Sequence, residues 1–326
     1  MTPIELQYVI YPIWLVVAFI LIRLYFLVAV RFSIIDKPNE RSSHIVPIIR
    51  GGGIIIPISV LFWYFSFGFQ NSYFVLGLLL VSTISFIDDI KNLPSGLRVV
   101  IHLISVSFLF ADLDLMQLPW YLLIPAYILM IGWVNAFNFM DGINGISSLY
   151  AIVCIFSIVG VEYLLGGFDF RLFGFVLIAL GIFTFYNLRK RARCFAGDVG
   201  SVALAFTIAF LIIPLLQLNW AYLGLVLVYG IDTSLTIFHR IMKGEKITEA
   251  HRTHNYQYLA NELGWSHIKT SVFYAVLQLL VSGWTIFGIT MTNSPSWLIF
   301  LVPSTILALA YIGGRIWMLN YIEKKL

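Results

Sequence analysis

Charged residues in this chain are gathered into a few clusters, separated by apolar runs about as long as a membrane-crossing helix. The run from Phe74 to Ile87 carries no charge at all and ends directly on two acids, Asp88 and Asp89. Read in this way, the chain predicts eleven helices, near 8–30, 51–70, 73–87, 99–111, 121–137, 148–165, 172–187, 200–216, 221–239, 269–290 and 296–319. No linker or repeat divides them. Residues 1–326 are therefore expected to form one polytopic domain, an all-α integral membrane protein.

Composition agrees with that pattern. Hydrophobic residues make up 60% of the chain and charged ones 11%, with a mean hydropathy of +0.92, far from an ordinary soluble domain. Of the twenty Lys and Arg residues, eighteen lie in or beside 31–50, 88–98, 188–199, 240–269 and 315–326. The opposite loops hold only Arg171, and Arg23 lies within the first run, from which it can snorkel. The positive-inside rule makes those five segments cytoplasmic, with the N-terminus outside and the C-terminus inside. The start, Met1 to Glu5, has no basic stretch and precedes a run too long for a cleaved leader, so a retained first helix is expected. Cys154 falls in a span and Cys194 in a loop, a placement that argues against a disulfide or a zinc site.

The candidate chemistry lies in the five basic segments. Adjacent carboxylates such as Asp88 and Asp89 repel unless a cation sits between them, and an acid at a helix C-terminus meets the unfavourable end of the dipole. Asp141 and Asp198 recur at the ends of other apolar runs. Asn135, Asn138, Asp141 and Asn144 are spaced by three and interrupted by Gly142 and Gly145. Oxygen ligands of this kind suit Mg²⁺ or Mn²⁺, and amides suit a nucleobase, although Asn also caps broken helices. The segment Arg50-Gly51-Gly52-Gly53 allows close backbone approach to a ligand, or it is a loop anchored by its charge. Arg189 to Arg193 holds four basic residues in five, followed by Phe195-Ala196-Gly197-Asp198. His251, Arg252 and His254 fall within four residues of a basic loop, a grouping suited to phosphate.

In order along the chain, Asp36-Lys37-Pro38-Asn39-Glu40-Arg41-Ser42-Ser43-His44, Asp88-Asp89, Asn135 to Asn144 and Phe195 to Ser201 resemble the polyprenyl-phosphate N-acetylhexosamine-1-phosphate transferases, glycosyltransferase family 4. That family includes the enzymes that start O-antigen and enterobacterial common antigen, and the phospho-MurNAc-pentapeptide translocase. The resemblance implies that an undecaprenyl phosphate oxygen attacks the β-phosphate of a UDP-N-acetylhexosamine and UMP leaves. It implies Mg²⁺, with Mn²⁺ as a substitute, held by Asn138 and Asp198. It makes Asp88, Asp89, His251, Arg252 and His254 catalytic, and assigns Arg41, Arg98, Asp141, Asn144, Asn187 and Phe195 to substrate, with Phe195 stacked on uracil. Asn144 stands where bacterial relatives usually have Asp, which suits a base edge rather than a metal. The spacing of His251 and His254 looks like the O-antigen-initiating branch and disfavours a MurNAc-pentapeptide donor. The expected setting is the bacterial inner membrane with the active site facing the cytoplasm. The expected partners are the two substrates and membrane lipids but no nucleic acid, and a homodimer is compatible with the pattern. Two readings from other classes are a secondary transporter, whose acids belong near the midplane, and a lipid-binding scaffold, which needs no separated acidic clusters.

Overall fold

The computed structural model describes residues 3–38, 46–166, 170–246 and 251–324. The chain is nearly all helical, and among the described residues nine helical segments are long and apolar enough to cross a membrane. The helices are α1 (Pro3–Arg31), α2 (Ile55–Ser66), α3 (Ser72–Ile90), α4 (Ser95–Asp112), α5 (Trp120–Phe139) and α6 (Ile146–Leu165), followed by α7 (Phe170–Asn187), α8 (Gly197–Leu218), α9 (Leu227–Met242), α10 (Asn255–Gln257), α11 (His267–Met291) and α12 (Ser296–Glu323). Outward-facing positions carry large apolar side chains such as Leu27, Leu129, Leu280 and Leu309, as a lipid-facing surface requires.

Each of the eleven expected runs is helical, with two differences of kind. The segment Gly52–Ser66 is shorter than the other spans. At roughly 1.5 Å per residue it falls short of the ~30 Å hydrocarbon core. The run at 221–239 is not one regular helix: Trp220–Val226 forms a 3₁₀ turn that leads into α9. A small β element was also not expected. Ile35–Asp36 pairs antiparallel with Ile48–Ile49, and Ile49 bridges to Cys194. Strands of two residues are too short to show a period in sequence.

Helix α8 is apolar on all sides and is buried along most of its length, packed by α2, α3, α5 and α6. Aromatic stacks join the elements around it. Phe74 of α3 lies 3.9 Å from Phe210 of α8, Tyr150 of α6 lies 3.6 Å from Tyr229 of α9, and Trp14 of α1 lies 4.7 Å from Phe62 of α2, centroid to centroid. Cys154 and Cys194 are separate buried thiols, and burial pushes the Cys194 thiol up to about 12.

The Gly51-Gly52-Gly53 segment brings its backbone close to the start of α8. Gly52 N–H donates to Phe195 O (2.8 Å) and Gly53 N–H to Ala196 O (3.0 Å). A Cβ on Gly53 would collide with the Gly200 backbone in the first turn of α8. Small residues on both sides set this spacing. Gly53→Ala is expected to cost about 1–3 kcal/mol through overpacking, visible as a lower melting temperature in detergent. An unchanged midpoint would show that α8 moves away freely.

Candidate active site

The α8 N-terminus is the point on which the acids converge. Asp89 Oδ1 accepts from the Asp198 backbone N–H (2.9 Å) and Oδ2 from that of Val199 (3.1 Å). These are orphan donors at the positive end of a helix dipole. A carboxylate placed unfavourably at the end of its own helix is thus placed favourably at the start of another. Arg50 completes the arrangement, with Nε 2.7 Å from Asp89 Oδ1 and Nη2 3.4 Å from Asp198 Oδ1. Burial works against the Arg50 charge, but Asp89, Asp198 and Asp36 outweigh it and hold its proton more tightly than usual. The Asp89 side chain is fully enclosed.

Asp88 points elsewhere. Its Oδ1 accepts from the Leu93 backbone N–H (2.7 Å), closing the α3–α4 turn, and its Oδ2 pairs with Arg98 Nη1 (2.7 Å). Asp88 and Arg98 then line a cavity of about 580 Å³ together with Asn138, Asp198, His251 and His254. These six residues come from α3, α4, α5, α8 and the loop before α10. Each had been singled out in sequence, and the fold brings them to one space. His102, Thr233 and Asn135 also line it. His102 follows Arg98 by one helical turn, the signal by which it could have been found.

The remaining candidates lie outside that cavity. Asn144 is buried beside a second cavity of about 440 Å³, shared with Arg189, Lys190, Arg191 and His267. Its Nδ2 donates to Arg189 O (2.8 Å), whereas Oδ1 is buried without a partner in the described structure. Asn187 lies behind it as a clamp: Oδ1 accepts from Gly145 N–H (2.6 Å) and Nδ2 donates to Cys194 O (2.9 Å). Both ends of that amide are occupied by backbone. Phe195 is half-buried, its own N–H bonded to Ile49 O (2.8 Å). Asp141 follows α5, and burial, reinforced by the Asp198 charge, pushes its carboxyl up to about 6. Arg252 is half-buried beside the histidines, with Nε lacking a partner in the described structure. Arg41 lies outside the described residues.

Three features of the site were not read from sequence. Arg50 had been noted only as part of the glycine segment, although it bridges Asp89 and Asp198. Asp232 and Arg240 of α9 contact the two histidines, His254 and His251 respectively. Asp232 did have a legible signal, since an acid within an apolar run is by default a functional candidate.

Among the described residues no group of three His, Cys, Asp or Glu side chains forms a ready metal cage. The donor set still suits Mg²⁺, which commonly uses one or two carboxylates plus phosphate oxygens and water. Asp198, Asp88 and the Asn138 side chain face the same cavity, and Asn138 directs its Nδ2 to Ser201 Oγ (2.9 Å), leaving its amide oxygen as the other end. No curated protein matches the sequence. Residues 71–216, which run from α3 through α8 and include Asp88, Asp89, Asn138 and Asp198, match the family model of glycosyl transferase family 4, which supports a membrane transferase of the phosphoglycosyltransferase kind.

Proposed function

We propose that this protein transfers N-acetylhexosamine-1-phosphate from a UDP-N-acetylhexosamine to undecaprenyl phosphate, releasing UMP and starting a lipid-linked surface polysaccharide such as O-antigen. One observation carries the reading. The polar cavity shares Ile131, Gly132 and Asn135 with an apolar groove of about 560 Å³ along α4 and α5, lined also by Leu103, Ile124, Tyr127 and Ile128. A long apolar chain in the groove would present its phosphate to a space lined by Asp88, Arg98, Asn138, Asp198 and His251. The clustering of basic segments supports a cytoplasmic face for this site, in the inner membrane of a bacterium, with the N-terminus outside and the C-terminus inside.

The residues divide the work by chemistry. Both substrates are anionic and the transition state spreads charge over phosphoryl oxygens, so positioning and charge neutralisation dominate. Arg98 and the histidines supply donors to phosphate, and Asp88 holds Arg98 in place. Bound Mg²⁺, held by Asp198 and Asn138, would neutralise the charge that develops on the departing UMP. The second cavity, with Arg189, Lys190, Arg191 and the buried Asn144 amide, suits the nucleotide end of the donor.

Purified protein incubated with undecaprenyl phosphate, Mg²⁺ and a panel of UDP-N-acetylhexosamines should release UMP only when the lipid is present. Failure of every donor would overturn the reading. Among accepted donors, Phe195→Ala is expected to raise KM about equally for all, by loss of stacking worth roughly 1–3 kcal/mol in comparable base–aromatic contacts. A steady-state comparison of two donors checks this. A change of sugar preference instead would move Phe195 to the sugar end of the site.

A further inference from the structure

The two histidines that line the cavity belong to a directed chain of hydrogen bonds that begins and ends on α9. Arg240 Nη1 lies 2.7 Å from His251 Nδ1. A guanidinium only donates, so His251 Nδ1 accepts and the ring carries its proton on Nε2. That Nε2 lies 3.2 Å from His254 Nε2, which must then be the acceptor. His254 is left with its proton on Nδ1, 2.9 Å from Asp232 Oδ1. Every bond therefore points the same way, from Arg240 through His251 and His254 to Asp232.

Asp232 meets further donors at the end of this chain. Its Oδ2 accepts from Tyr274 Oη at 2.5 Å, and its Oδ1 also accepts from Thr236 Oγ1 at 3.3 Å. Thr236 in turn meets Tyr311 Oη (2.6 Å), which accepts from Arg315 Nη1 (2.7 Å). Arg315 also ties down the loop by donating to Thr253 O (2.8 Å), and the His254 N–H is held by Gln257 Oε1 (3.1 Å). His254 and Asp232 are both almost completely buried, so their geometry is fixed by packing. At the other end Glu245 accepts from Arg240 Nε (2.9 Å).

This wiring leaves one place for an added proton. His251 already carries hydrogen on Nε2 and has Nδ1 occupied by Arg240, so an added proton goes to His254 Nε2, at the cost of the bond that atom accepts from His251. A proton taken from solvent forms a new N–H bond there and makes His254 an imidazolium beside Asp232. The two Nε2 atoms are then both donors and no longer bond to each other. Two N–H groups become available at the cavity wall, matched to two oxygens of a phosphate.

We infer that Asp232 is a positioning residue, which lets the His251–His254 pair trade its internal hydrogen bond for a two-donor clamp on a phosphate in the cavity. The inference rests on the phosphate-transfer reading above. The charged and titratable groups around the pair are Asp232 and Arg240 of α9, Arg252 of the loop, Tyr256 of α10, Tyr274 of α11, Tyr311 and Arg315 of α12, and Asp88, Arg98, His102 and Asp198 around the cavity. Of these, only Asp232 accepts a proton-bearing nitrogen of the pair in the described structure, and it governs the sign of the response.

The test is the pH profile of kcat for lipid-dependent UMP release. Asp232→Asn keeps an acceptor oxygen but removes the charge. Its kcat at pH 8 should fall about a hundred-fold, in the range for loss of one preorganised donor. The high-pH limb should move down by roughly 1 unit or more, so that activity partly returns in acid. Tyr274→Phe removes a donor that competes with His254 for Asp232 and should move the same limb up. A uniform loss at every pH with unmoved limbs, in either variant, overturns the inference and leaves Asp232 a structural group. If Asp232→Asn does not fold, the direction of the Tyr274→Phe shift decides. Absence of UMP release by the wild-type protein is a different outcome, since it removes the transferase reading itself.

Discussion

Asp198→Asn is expected to lose most turnover, at least about a hundred-fold, while the protein folds and inserts normally. The contributions of this residue sit on different atoms, and its carboxylate also meets Arg50 at 3.4 Å. Its backbone N–H holds Asp89, which any residue at this position would do, whereas its carboxylate faces the cavity beside Asn138. Asn at this position removes a full negative charge from the donor set, which the neutral Asn138 amide cannot replace. EDTA should abolish activity in the wild type, with recovery on adding Mg²⁺ or Mn²⁺. Melting in detergent and UMP release measured on the same preparation separate fold from chemistry. Turnover near wild type in the variant, or persistence in EDTA, would remove Asp198 from the metal site.

The second large effect is a split between neighbours. Asp89→Asn should destabilise the protein by about 3 kcal/mol, because a buried ion pair loses one partner and a helix start loses half of its cap. An Asn can accept only with its one oxygen, and its amide N–H₂ would face either Arg50 or the Val199 N–H, donor against donor. Asp88→Asn breaks a pair in which Arg98 is 41% exposed, worth about 0–1 kcal/mol. It should leave the melting point almost unchanged and lower turnover about a hundred-fold, because Arg98 loses its orientation in the cavity. Thermal melts and steady-state rates on both variants give the comparison. Equal melting points would mean that the α3–α8 contact does not depend on Asp89.

Hydrophobic run length and the clustering of charge determined the helical membrane class, because a helix is the one open-chain element that satisfies its backbone in lipid and its length is set by the bilayer. The same logic marked Asp88 and Asp198 as chemistry, since polar groups at the ends of apolar runs are costly without a use, whereas Asn138 stood out by its spacing and His251 and His254 by their grouping in a basic loop. Run length alone could not show that the helix within 51–70 stops at Ser66, or that 220–226 winds as a 3₁₀ turn, because hydropathy is blind to how a backbone is wound.

The tertiary structure decided what each polar residue faces. Asp88 and Asp89 are adjacent in sequence and chemically identical. A helix turns about 100° per residue, so one carboxylate enters the cavity while the other is locked under α8. Asn144 and Asn187 look equivalent as amides, yet Asn187 has both ends occupied by backbone and Asn144 has an oxygen unpaired among the described residues. The partners that orient His254 and His251 come from α9, Asp232 lying 22 residues before the first and Arg240 11 residues before the second. Composition and spacing carry residue type, but the direction of a hydrogen bond exists only once packing has placed donor against acceptor.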